Sequence, residues 1–177
     1  MPSGRTHDAI TFILAAPAFA ITYAFVRDVS PSAILTGAFL FGGLMFGPDL
    51  DTVSRQYSRW SIFRYLWFPY RSFFKHRSRF SHGLIFGALI RVIYFMGVVS
   101  LIVFLAVYIY AAYSGGVIPA IGQIGDVWRP IGVVVRERFE ANMIVIVFVG
   151  LWLGAASHTV TDIIGTFVKT GRSEKFF

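Results

Sequence analysis

The chain has 177 residues, of which 56% are hydrophobic and 14% charged, a balance too apolar for a water-soluble surface. It contains no cysteine, which excludes disulfides and thiolate ligands and leaves imidazole and carboxylate as the donors for any metal. The net charge of +7 speaks of surroundings rather than fold, and in so apolar a chain it reports topology and anionic head groups.

The first element is the apolar run Ala9 to Val26. Polar residues Met1 to Asp8 precede it and Pro17 interrupts it, unlike the compact apolar core of a secretory signal, so His7 is expected to stay in the chain. The second run, Ser32 to Gly47, is shorter than the ~20 residues that usually span a bilayer. Its glycines at 37, 42, 43 and 47 suggest close packing on a neighbour. Pro48-Asp49-Leu50-Asp51 follows where this run ends.

Residues 52–82 read as an interfacial segment. Between Thr52 and Gly125 there is no acidic residue, and Trp60, Phe63, Trp67, Phe68, Phe73 and Phe74 are interleaved with Arg59, Arg64 and Arg71. Aromatic rings favour the head-group region and guanidinium groups attract anionic lipid. The pattern has the look of a lipid belt rather than of a stacking platform, so no nucleic-acid partner is expected.

The third run, Leu84 to Tyr113, exceeds one crossing and carries Arg91, which places the span near 92–113 with Arg91 snorkelling or serving a site. Residues 114–138 begin with glycines and Pro119 and read from Pro130 as a short, interfacial helix. The fourth run covers Met143 to Val168 and contains His158 and Asp162, four apart and therefore on one helix face. The expected architecture is an all-α integral membrane protein. One domain over residues 1–177 would hold about four spans, near 9–26, 32–47, 92–113 and 143–168, each helical because an open strand cannot satisfy its backbone in hydrocarbon.

Charge asymmetry orients these spans. Arg5, the seven basic residues from Arg55 to Arg79, and Lys169, Arg172 and Lys175 fall on one side, which the positive-inside rule makes cytoplasmic together with both termini. That arrangement brings His7, His76, His82 and His158 to one membrane face with Asp49, Asp51 and Asp162. Ionisable residues in a membrane are costly and tend to pair or to bind ions. Separately, each has a plain reading as a solvated carboxylate, an exposed terminal residue or a basic loop. Jointly they supply more ligands than one tetrahedral metal needs, and an internal His–Asp hydrogen-bond network is the alternative. Metal transport is disfavoured because residues 92–113 carry few polar groups.

The order His7, Pro48-Asp49-Leu50-Asp51, His76-Arg77-x-x-x-Ser81-His82 and Ser157-His158-x-x-x-Asp162 resembles a family of bacterial membrane metal-binding proteins, with an N-terminus most similar to cyanobacterial members. That family looks like a branch of the inner-membrane-associated metal-dependent hydrolases. The resemblance spans nearly the whole chain, and the long aromatic insert before His76 sets this branch apart. It implies a multi-pass bacterial membrane protein with zinc, or else manganese or iron, as one or two ions on His7, Asp49, Asp51, His76, His82, His158 and Asp162. Asp49 and Asp51 would be the catalytic carboxylates, and Arg77 or Arg79 would hold an ester or phosphoester. Anionic lipids are the expected partners. The competing expectation is a noncatalytic scaffold, assembly factor or small subunit of a larger membrane complex.

Overall fold

The computed structural model describes residues 3–74, 78, 81, 83, 84, 86–138 and 142–171. It is helical, with no strand among the described residues. Four helices are long and apolar enough to cross a membrane: Gly4–Val26, Val29–Asp51, Phe86–Ser114 and Asn142–Lys169. The chain forms two compact units, one of Met1–Arg91 with Met143–Phe177, the other of Val92–Asn142.

In the first unit, α1 (Gly4–Val26) starts at Ser3, whose hydroxyl accepts the Thr6 N–H at 3.3 Å. Such a cap satisfies one of the donors that the first helical turn leaves open. The helix carries Pro17 in its interior and ends at Arg27, whose N–H still donates to the Tyr23 carbonyl while its left-handed φ of 57° turns the following chain out of the helix. Asp28 then caps α2 (Val29–Leu44) by accepting the Ser30 N–H at 2.8 Å. So short a link folds α2 back along α1. The return is antiparallel, since a Cβ at Gly43, late in α2, would lie 2.5 Å from Thr11, early in α1.

After α2 the chain makes a 3-10 turn over Pro48–Asp51 and a short helix α3 (Arg55–Arg59), capped by Ser54. The side chains of α3 close the end of α2. The Gln56 amide donates to the Gly43 carbonyl at 2.6 Å, Arg59 to that of Leu44 at 2.8 Å, and Trp60 Nε1 to that of Met45 at 2.8 Å. Three carbonyls that a helix end leaves without partners are thereby satisfied. Arg59 also forks onto Asp8 at 2.9 and 2.6 Å, tying α3 to α1.

Next come a 3-10 stretch over Ser61–Trp67 and α4 (Phe68–Phe73). Trp67 and Tyr70 turn inward and are fully buried, with Trp67 edge-on to Phe46 at 5.3 Å. Ile62, Phe63, Phe68 and Phe73 face outward. The segment read as interfacial is therefore a folded cap with an aromatic inner side and an apolar, arginine-bearing outer side.

Helix α5 (Phe86–Ser114) begins earlier than the span near 92–113 requires, so Arg91 lies inside a helical turn. It does not snorkel. Arg91 is 2% exposed and donates from Nη1 to the Ser81 carbonyl at 2.6 Å, because a buried guanidinium must find acceptors where it stands.

Close backbone contact joins α7 (Asn142–Thr170) to α2. A Cβ on Gly150 would lie 2.5 Å from the Leu35 carbonyl, and one on Gly154 would lie 2.0 Å from that of Phe39. Both helices therefore run in the same direction, meeting through Gly150-x-x-x-Gly154, a spacing that lets helix backbones approach. Gly42 and Gly47 also have no room for a side chain, whereas Gly37, grouped with them on sequence, has nothing within 4 Å.

In the second unit, α5 continues from Val92, followed by a 3-10 stretch over Ile121–Val127 and by α6 (Trp128–Arg138). Trp128 Nε1 donates to the Ser100 hydroxyl.

Candidate metal centre

Three separate elements meet at one end of the first unit. His7 comes from the first turns of α1, Asp49 from the 3-10 turn after α2, and His158 with Asp162 from one face of α7. The packing already described explains the meeting: α1 and α2 are antiparallel, so the start of one lies beside the end of the other. The contact at Gly154 sets His158, one helical turn later, at the level of the α2 exit.

His7, His158 and Asp162 each offer a ligand atom within 4.8 Å of the other two. They are 5%, 3% and 2% exposed, a depth at which unpaired polar atoms are costly. Asp162 divides its carboxylate between the rings, with Oδ1 3.2 Å from His7 Nε2 and Oδ2 3.7 Å from His158 Nε2. Asp49 Oδ2 lies 3.4 Å from the same His158 nitrogen, with its side chain 27% exposed. The two imidazoles stack with centroids 3.8 Å apart and planes 8° from parallel.

Among the described residues, His7 Nδ1 and His158 Nε2 are buried without a hydrogen-bond partner. Leaving such groups unsatisfied costs about 1–3 kcal/mol each, and a cation bound at His158 Nε2 would offset the second of them. The donors are two nitrogens and carboxylate oxygen, a set that suits zinc, manganese or iron. On these grounds the residues fit a divalent metal.

Gln56 bears directly on the fit. It is 4% exposed, and its Oε1 accepts the Asp49 N–H at 3.2 Å while its Nε2 donates to Gly43. Those two partners fix the amide's orientation and leave the second Nε2 hydrogen for His158 Nδ1, 3.3 Å away. A ring accepting there carries its own proton on Nε2, toward the carboxylates. A metal-binding histidine usually donates its other N–H to an acceptor, so ligation through Nε2 moves that proton and requires the Gln56 amide to turn.

Asp51 is buried at 5% exposure and stands with Asp49 and Tyr70 within electrostatic reach of Arg91. It is not in the close His7–His158–Asp162 cluster. Of the two sequence expectations for Arg91, snorkelling or serving a site, its burial on the Ser81 carbonyl excludes the first. Gln56 gave no signal in the sequence beyond being a polar residue two positions after Ser54. Asp8 was not singled out either, although Arg55 and Arg59 both pair with it, at 3.0 and 2.6 Å. His76, Arg77, Arg79 and His82 lie outside the described residues.

No curated protein and no solved structure matches the chain. A family model does, over residues 2–172, and its description is "Uncharacterized metal-binding protein (DUF2227)". With nearly the whole chain matched, and a buried His–His–Asp cluster of the kind that holds a metal, this protein belongs to that metal-binding family.

Proposed function

We propose that this protein is a multi-pass bacterial membrane protein that hydrolyses an ester or phosphoester at the cytoplasmic membrane face, using divalent metal held at His7, His158 and Asp162. The observation that carries the reading is a buried donor cluster beside an exposed edge. A catalytic metal site keeps an open position that water can reach, whereas a structural one is closed by protein ligands. Here two imidazoles and one carboxylate are buried together, and Asp49 sits next to His158 with its side chain partly in solvent.

Bound there, zinc, or manganese or iron in its place, supplies Lewis acidity and an activated water. The chain's own part is to hold a proton acceptor at the open edge, the role of Asp49, with Asp51 buried beside it in the same 3-10 turn. Arg77 and Arg79 are proposed to hold the substrate anion, and His76 and His82 to complete the ligand set. The outward Ile62, Phe63, Phe68 and Phe73, with Arg64 among them, suit a surface of anionic lipid, which makes a membrane-borne phosphoester the favoured substrate class.

The test is turnover of phosphoester and carboxylic ester probes by the detergent-purified chain loaded with Zn²⁺ or Mn²⁺. Chelation should abolish turnover, and Asp49→Asn should lower it by about 100-fold while the metal content stays near wild type. A second reading, favoured by the 2–5% exposure of the three clustered side chains, is a metal that only staples the bundle inside a larger membrane complex. A metal-loaded chain that turns over no ester, yet loses thermal stability on chelation, would replace the first reading with the second.

A further inference from the structure

Resting on the metal reading above, we propose that the centre is dinuclear, with Asp162 bridging one ion bound by His7 and a second bound by His158. The argument begins with the imidazole lone pair, which lies in the plane of its ring. The two rings are 8° from parallel and 3.8 Å apart, so one ion cannot lie in both planes. Placed between them it would meet each nitrogen well away from its lone pair. Each plane can, however, take an ion of its own.

The carboxylate between them is arranged for that division. Asp162 presents Oδ1 to His7 Nε2 at 3.2 Å and Oδ2 to His158 Nε2 at 3.7 Å, one oxygen to each ring. A chelating carboxylate would turn both oxygens to one point.

The two positions are unequal. Beside His158 stand Asp162 and Asp49, the latter with Oδ2 3.4 Å from Nε2. Beside His7, the described carboxylate is Asp162 alone. With the charge of Asp49 added to that of Asp162, the His158 position attracts a cation more strongly and fills first. The shared carboxylate makes the second ion depend on the first only through Asp162.

Mn²⁺ tests this directly, because it is paramagnetic and takes the same nitrogen and oxygen donors. The full chain is stripped with chelator in detergent and titrated with Mn²⁺, with elemental analysis and low-temperature EPR as readouts. Two ions per chain are expected in two steps, the second step converting an isolated-ion spectrum into that of a coupled pair. His7→Ala should keep one ion with the isolated spectrum, and Asp162→Asn should lose the coupling. Because Asp162→Asn could fail to fold, its helical content is measured, and His7→Ala carries the test if it does.

One ion per chain at saturation overturns the proposal, as does a coupled pair that survives His7→Ala or a folded Asp162→Asn. A chain that binds no metal overturns it together with the reading on which it rests. A coupled pair without ester turnover removes the hydrolytic reading alone, and turnover with a single ion removes only the dinuclear one.

Discussion

The candidates His7, His158 and Asp162 stand out in the sequence jointly rather than one by one, as ionisable groups brought to one end of apolar runs. His158 and Asp162 are ionisable groups in an apolar helix, and His7 opens another. Gln56 was not legible, since it acts through an amide orientation that only the folded end of α2 defines. Its position leads to a prediction with opposite signs in the two states. In Gln56→Glu, a carboxylate replaces the donor facing the Gly43 carbonyl, so the metal-free protein should lose stability. The same carboxylate accepts from His158 Nδ1 and leaves Nε2 free for metal, so affinity should rise by about tenfold. Thermal unfolding without metal and isothermal titration with Zn²⁺ measure the two effects. A fall in both would mean that Gln56 serves the fold and does not set the histidine's proton.

At the scale of elements, the four long helices follow from apolar runs. Helix α5 covers the third run from Phe86 onward, and Arg91 inside it is buried on the Ser81 carbonyl. Helix α2 stops at Leu44 because α3 takes over its last carbonyls. The glycine reading was half informative: Gly42, Gly43 and Gly47 are at contacts, Gly37 is in open space, and the pair that joins α2 to α7 is Gly150 and Gly154. Glycines are indistinguishable in a sequence until the partner helix is known. In Gly154→Ala, the new Cβ would stand 2.0 Å from the Phe39 carbonyl, so the helices must separate at a cost of roughly 1–3 kcal/mol. That separation also moves His158 from Asp49, so metal affinity should fall with stability. Gly37→Ala is the control, with no loss of either. Melting temperature and metal content of both variants check this, and a Gly154→Ala protein with unchanged metal affinity would show that α2–α7 packing does not set the site.

For the whole molecule, the proposed topology rests on two independent arguments that point to the same face. In the sequence, basic residues fall beside corresponding span ends: Arg5 at the start of α1, the stretch from Arg55 to Arg79 after α2, and Lys169, Arg172 and Lys175 toward the C-terminus. The direction of packing supplies the second argument. A chain that crosses at each long apolar helix gives its second and fourth spans the same direction, and α2 and α7 do run parallel through Gly150 and Gly154. In the proposed topology His7, Asp49 and Asp162 then reach one membrane face, which the positive-inside rule assigns to the cytoplasm. Truncated fusions after Arg59 and at the C-terminal end should therefore report the cytoplasm with a reporter that fluoresces only there, and a fusion after Gly122 should report the opposite side. Opposite signals from the first two positions would break the four-span order. The parallel α2–α7 contact could not then form within one membrane, and the meeting of His158 with Asp49 would go with it.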